Sequence, residues 1–190
     1  FNGTVAGGGF NLGLTGNAVF GDATTDTVTG LGTLAVSGTT TINTATVTSA
    51  GTQTYNGAVT LGADTTLTTT DSTVLFSSTV DSTGGARDLT VSAGTGAITF
   101  TGAVGGTAAL DALALNSTGT TTLTAAVTAG SLATNAGGTT AINGGAVTTT
   151  GAQTYNDNVT LGANTALSAT TTTFNGTVAG GGFNLGLTGN

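Results

Sequence analysis

The sequence predicts an all-β protein, specifically a parallel β-helix (a β-solenoid) without helices, built from coils of about 19–24 residues. Three observations support this prediction. The chain contains 50 Thr and 34 Gly among 190 residues, a composition suited to strands and tight turns. A short alternating motif recurs along it, and its first seventeen residues return unchanged as its last seventeen.

The recurring motif places an apolar residue before a polar or Gly-containing corner and then a Val. Its occurrences are TYNGAV (54–59), LFSSTV (75–80), TFTGAV (99–104), TLTAAV (122–127), TYNDNV (154–159) and TFNGTV (173–178). Alternate residues of a strand point to opposite faces, so each motif has one apolar face. A strand this short buries that face only when the next coil stacks on it, as in a solenoid. Helical periodicity is absent, and propeller blades need about 40 residues each.

Coil stacking predicts one interior column of large side chains. We expect this column to contain Phe1, Tyr55, Phe76, Phe100, Tyr155 and Phe174, joined by Ile42, Leu123 and Ile142. The Asn residues that follow the column are expected at corners, where Asn tolerates a left-handed backbone and stacked amides form ladders. β-Hairpins are the competing explanation for the Asn-Gly pairs.

The repeats predict the domain organisation. FNGTVAGGGFNLGLTGN occupies residues 1–17 and again 174–190, which gives a period of 173 residues. Residues 1–173 are therefore expected to form one full tandem unit of about nine coils, and 174–190 to begin the next identical unit. A second similarity lies at an offset of 100, where 51–70 matches 151–170 at 13 of 20 positions. It divides the unit into related sub-halves, about 1–75 and 76–173.

Charge and composition exclude several classes of partner. The chain has eight Asp, one Arg, no Lys, no Glu, no His and no Cys, and its net charge is −7. It has no basic patch for nucleic acid or an anionic membrane, and no apolar run approaches the roughly 20 residues of a spanning helix. We expect neither nucleic-acid binding nor membrane insertion of this segment.

Few side chains could carry chemistry. The titratable candidates are Asp22, Asp26, Asp64, Asp71, Asp81, Asp88, Asp111, Asp157 and Arg87. They look scattered among turns, so we expect no catalytic, cofactor-binding or metal-binding residue and no cofactor. Arg87 aligns with Asp111 at the offset of 24 that also pairs Phe76 with Phe100, which favours an inter-coil salt bridge over a ligand site. Asp22 and Asp26 could share a surface ion, although the nonapeptide of calcium-binding solenoids is absent.

Several segments resemble a known group of proteins. QTYNGAVTLGADTTL (53–67), ITFTGAVGG (98–106) and TTAINGGAVTTTGAQTYN (139–156) are similar to the strand repeats of filamentous-haemagglutinin-type adhesins and autotransporter stalks. The resemblance implies a right-handed β-helix displayed on a bacterial surface. It transfers no catalytic or binding residue.

The function expected from these observations is structural. We expect a non-catalytic segment of a giant, secreted extracellular bacterial fibre or adhesin, in which identical neighbouring units stack end to end. Such a rod would serve surface display, adhesion or cell–cell contact, with a host or neighbouring-cell surface as a further candidate partner. Two alternatives remain open: an ice-binding β-helix with a Thr-rich face, and an Asp-based polysaccharide-cleaving β-helix.

Overall fold

The chain folds as a parallel β-solenoid of about nine turns. The structure is a computed structural model that describes residues 1–189, so Asn190, the final residue of the second 17-residue stretch, lies outside the described residues. Residues 1–189 contain no helix long and apolar enough to cross a membrane. The predicted parallel solenoid is confirmed, and hairpins do not explain the Asn-Gly pairs because every strand pairing is parallel.

Each turn passes through three stacked sets of strands, which we call faces 1, 2 and 3. Face 1 is built from β1 (Val5–Ala6), β4 (Thr27–Leu31), β7 (Thr46–Ser49), β10 (Thr65–Thr69), β13 (Leu89–Gly94), most of β15 (Leu110–Ser117), the second part of β17 (Val127–Thr134), β20 (Ala152–Tyr155) and β23 (Thr171–Phe174).

Face 2 contains nine strands and is continuous. Its strands are β2 (Leu12–Leu14), β5 (Leu34–Val36), β8 (Gln53–Tyr55), β11 (Val74–Phe76), β14 (Ile98–Phe100), β16 (Thr120–Leu123), β18 (Thr139–Ile142), β21 (Asn158–Leu161) and β24 (Val178–Ala179).

Face 3 begins with β3 (Ala18–Phe20), β6 (Thr40–Ile42), β9 (Val59–Leu61) and β12 (Val80–Ser82). It continues through a bridge at Val104 into the first part of β17, then through β19 (Ala146–Thr149), β22 (Thr165–Ala169) and β25 (Leu185–Gly189). Because β17 runs through the corner between faces 3 and 1, strands of both faces join one twelve-stranded sheet.

Vertical register follows the spacing predicted from the sequence. Leu89 pairs with Leu113 and Phe76 with Phe100, both at the offset of 24. Inward positions form one continuous apolar core that runs through all three faces. Burial alternates along the strands, as in the buried, partly exposed, buried pattern of β8.

The large side chains occupy three interior columns, so the prediction of a single column is confirmed in part and is wrong for Phe1, Ile42, Tyr155 and Phe174. The predicted column on face 2 contains Tyr55, Phe76, Phe100, Leu123 and Ile142. Tyr55, Phe76 and Phe100 stack on face 2, with ring centroids 5.2 and 4.6 Å apart. Phe1 stacks on Phe20 of face 3, and Tyr155 stacks on Phe174 of face 1. Ile42 also lies on face 3, paired with Phe20 and Leu61. Each face ends in an apolar residue followed by a polar corner. Similar sequence motifs therefore recur three times per turn and belong to different columns.

Corner residues show why Asn and Gly recur there. Asn175 donates its amide to Asn156 at 2.6 Å, as expected for an Asn ladder, and Asn56 donates to the Val36 carbonyl of the preceding coil. The expected left-handed Asn is not observed, since Asp71 is the single non-glycine residue with positive φ among residues 1–189. At Gly57 a Cβ atom would lie 2.4 Å from the Gly38 backbone, so adjacent coils touch there.

Two buried polar pairs cross the solenoid interior. The Tyr55 hydroxyl donates to Gln53 Oε1 at 3.0 Å, and Gln53 Nε2 donates to the carbonyls of Val47 and Thr68 on two successive coils. Gln153 and Tyr155 repeat this arrangement. Val74, an apolar residue, occupies the position of Gln53 in the next coil.

We expect Tyr55→Phe to lower the free energy of unfolding by about 1–3 kcal/mol, because Gln53 Oε1 loses its buried donor. The double variant Gln53→Val with Tyr55→Phe imitates the neighbouring pair Val74 and Phe76 and should cost less than the sum of the single variants. Urea unfolding of the four proteins measures this coupling, and the same cycle at Gln153 and Tyr155 is the matched control. Additive costs at both sites would contradict the shared network.

Candidate functional site

The corner between faces 3 and 1 carries most of the charge. We call it the charged corner and define it by Asp64, Asp81, Arg87, Asp88 and Asp111. Two loops of successive coils, 83–88 and 105–109, lie here and belong to the two coils of 24 residues, which are the longest among the described residues. These residues looked scattered in the sequence, and the fold brings them together.

Three carboxylates of the charged corner, those of Asp64, Asp81 and Asp88, accept hydrogen bonds from backbone N–H groups of the next coil. Asp64 Oδ1 accepts from the Asp88 N–H at 3.1 Å, and Asp88 Oδ1 accepts from the Ala112 N–H at 2.9 Å. Asp81 Oδ1 accepts from the N–H groups of Thr107 and Ala108 at 2.8 and 3.1 Å. These carboxylates act as inter-coil acceptors, and an ionised acceptor makes such hydrogen bonds stronger than neutral ones.

Arg87 lies at the predicted register but makes different contacts from those expected. The Asp111 N–H donates to the Arg87 carbonyl at 2.9 Å, which confirms the vertical alignment. The guanidinium instead donates to carbonyl oxygens of its own loop, from Nε to Thr83 at 3.4 Å and from a terminal nitrogen to Gly84 at 3.5 Å. The expected salt bridge to Asp111 is therefore replaced by a contact that stabilises the loop.

An open cavity of about 260 Å³ lies under these loops. Its lining is mostly apolar and includes Ala86, Ala109, Leu110 and Ala129, with Asp111 beside them. Asp111 is exposed, whereas Leu110 is buried. The arrangement forms a lateral depression of the solenoid in which a carboxylate lies beside apolar side chains.

Of the remaining acidic candidates, Asp26 and Asp71 also accept hydrogen bonds from backbone N–H groups. Asp26 Oδ2 accepts from the N–H groups of Asp22 and Ala23 within one loop, and Asp71 Oδ1 accepts from the Thr95 N–H of the next coil. No group of three potential acidic, His or Cys metal ligands occurs among residues 1–189.

Asp157 is the one deeply buried carboxylate among the described residues, at 1% exposure. Its Oδ1 accepts from the Gly138 N–H at 2.8 Å and its Oδ2 from the Thr140 hydroxyl at 3.2 Å. Burial raises the pKa of this carboxyl above its ordinary value, while hydrogen bonds from Gly138, Thr140 and Thr134 offset part of that effect. Sequence alone gave no signal for it, because Gly57 holds the matching place in the other sub-half.

Outward Thr residues form an interrupted file on face 1. Thr27, Thr46, Thr66 and Thr90 pair in succession, but Ala114 and Ala133 follow before Thr154 and Thr173. A Thr-x-Thr pair in register occurs on β7 and β10, where Thr46 and Thr48 face Thr66 and Thr68. The flat Thr array that ice binding requires in every coil is broken within this face.

Comparison with known proteins gave no match to a family model, to a curated protein or to a solved structure.

We expect Asp157→Asn to change how stability depends on pH. Because the folded-state pKa is raised, the folded protein holds a proton that the unfolded chain has released, between the unfolded pKa of about 3.9 and the raised value. The free energy of unfolding of the wild type should therefore fall, relative to that of the Asn variant, as pH rises through this window.

Unfolding in urea at a series of pH values measures the difference between the two proteins. The matched control is Asp22→Asn, which removes one negative charge from an exposed side chain and so reports the general effect of net charge. A difference between wild type and Asp157→Asn that stays constant with pH, or rises with it, would contradict the assignment.

Proposed function

We propose that this segment is a non-catalytic structural repeat of a giant extracellular bacterial fibre or adhesin, in which identical 173-residue units form one continuous stiff rod. The sequence resemblance to filamentous-haemagglutinin-type and autotransporter-like surface proteins supports the cellular setting. The rod would hold a distal binding region away from the cell surface for adhesion or cell–cell contact.

One observation carries the proposal. The two copies of the shared 17-residue stretch pair with coils on opposite sides along the solenoid axis. As residues 1–17 it pairs with the following coil, Val5 with Val28 and Leu12 with Leu34. As residues 174–189 it pairs with the preceding coil, Val178 with Val159. A copy that lies between a preceding and a following coil could pair with both of them, and the parallel β-ladders would then run from one unit into the next without interruption.

The side-chain chemistry suits a rod with little charge. Asp carboxylates are used to bind the next coil, and the Thr-rich exterior hydrates the surface. Arg87 is the only trypsin cleavage residue of the sequence, which favours survival outside a cell.

The test compares chains of one, two and three units. Between Val5 and Val178 the chain makes slightly more than eight turns, so each added unit should lengthen the rod by about 40 Å at about 4.8 Å per turn. Electron microscopy and small-angle X-ray scattering measure this length. The control is a two-unit chain with Val28→Asp and Leu67→Asp in its second copy, which should not lengthen because both side chains are fully buried. The proposal would be refuted if the two- and three-unit chains appeared as separate globular particles joined by linkers, or if the chains of one, two and three units all aggregated.

A further inference from the structure

The two copies of the 17-residue stretch lie on different faces of the solenoid. Val5 pairs with Val28 on face 1, whereas its equivalent Val178 pairs with Val159 on face 2. Leu12 pairs with Leu34 on face 2, whereas its equivalent Leu185 pairs with Thr165 on face 3. The second copy is therefore displaced around the axis by one face.

The Gly-rich corner of the stretch keeps its backbone conformation despite this displacement. Gly8 and Gly9 have φ values of 58° and 84°, and the equivalent Gly181 and Gly182 have 58° and 94°. The same turn closes in both copies, from the Phe10 N–H to the Gly7 carbonyl at 3.0 Å and from the Phe183 N–H to the Gly180 carbonyl at 2.8 Å. The same sequence thus forms the same turn at two different positions around the solenoid axis.

The internal duplication behaves in the same way. Gln53 lies on face 2 and donates to Val47 and Thr68 on face 1. Gln153 lies on face 1 and donates to Val147 and Ser168 on face 3. The same sequence is therefore accepted on different faces. The Gln–Tyr hydrogen-bond network is the same in both copies, although one copy joins faces 2 and 1 and the other joins faces 1 and 3.

The two neighbours of the stretch use different backbone groups. Toward the following coil, the N–H groups of Gly7, Gly9 and Leu12 donate to Thr29, Gly30 and Thr33, at 2.7–2.8 Å. Toward the preceding coil, the carbonyls of Thr177 and Asn184 accept from Val159 and Thr165, both at 2.8 Å. Thr177 and Asn184 are the equivalents of Thr4 and Asn11, so one copy can hold both neighbours at once.

We propose that the open end formed by coil nine binds a second copy of the same 173-residue unit, rotated by one face, so that one unit spans eight and one-third turns rather than a whole number. This inference rests on the proposed function. Three units then make 25 turns and restore the original face after about 120 Å.

The rotation fixes how the rod presents its lateral features. The charged corner and its cavity, which occur once per unit, lie on three sides of the rod in turn, about 40 Å apart along the axis. The net charge of −7 per 190 residues is distributed around the axis instead of forming one repulsive strip.

Nitroxide labels in a three-unit chain test the rotation. Thr29 pairs with Ala6, and Ala179, the equivalent of Ala6, pairs with Thr160. A label at Thr29 of the second copy should therefore lie on face 2, two strand spacings or about 10 Å from a label at Thr160 of the first copy. It should lie across the solenoid from a label at Thr154 of the first copy, which is on face 1.

We expect strong dipolar broadening for the Thr29–Thr160 pair and weaker broadening for the matched Thr29–Thr154 pair, with singly labelled chains as controls. The opposite order, or equal broadening, would overturn the one-third-turn rotation. Rod length measured on the same labelled chains separates the two proposals. Rods that lengthen by about 40 Å per unit with reversed label contacts refute the rotation alone, whereas chains that fail to lengthen refute the rod itself.

Discussion

The structure depends on one constraint: each coil must lie in register on its neighbour at the spacing of a parallel ladder, about 4.8 Å. No strand in the described residues is longer than eight residues, so none buries an apolar face without the coil above and below it. The close approach at Gly57 and the side-chain ladder of Asn156 and Asn175 follow from this spacing. Core, corners and charge are all consequences of the same vertical registration.

This constraint explains how a chain with so few charges uses them. An exposed carboxylate would contribute little as half of a surface ion pair. At Asp64, Asp81 and Asp88 it accepts a backbone N–H from the next coil, at corners where the ladder of main-chain bonds is interrupted. Asn17 and Asn158 do the same without charge, accepting from the N–H groups of Thr39 and Thr177. Acidic residues therefore stabilise stacking, and the charged corner arises where two successive loops need several such acceptors.

The sequence allowed prediction of the coil stack but not of its cross-section. Repeat offsets identify vertical neighbours directly, and the pairing of Leu89 with Leu113 follows from the offset of 24 without any coordinates. The three faces were missed because each ends in an apolar residue and a polar corner, so Tyr55 and Tyr155 look like members of one column. The charged corner was missed because its residues come from three different coils. The Asp64–Asp88 spacing of 24 was the available signal.

The same interchangeability decides which duplications the fold tolerates. From Val5 to Val178 the chain passes eight turns and one further face, which is 25 faces. From Val47 to Val147 it passes four turns and two further faces, which is 14 faces. Neither number is a multiple of three, yet in both duplications the equivalent residues keep the same inward or outward strand positions, as the pairings of Val5 and Val178 and of Val47 and Val147 show. Only a whole number of faces is needed to preserve this alternation. A duplication ending within a face would instead break the corner chemistry and shift the register of every later strand. The smallest repeating element of the sequence is therefore one face with its corner. The fold accepts a repeat whose length corresponds to a whole number of faces, even when it does not correspond to a whole number of turns.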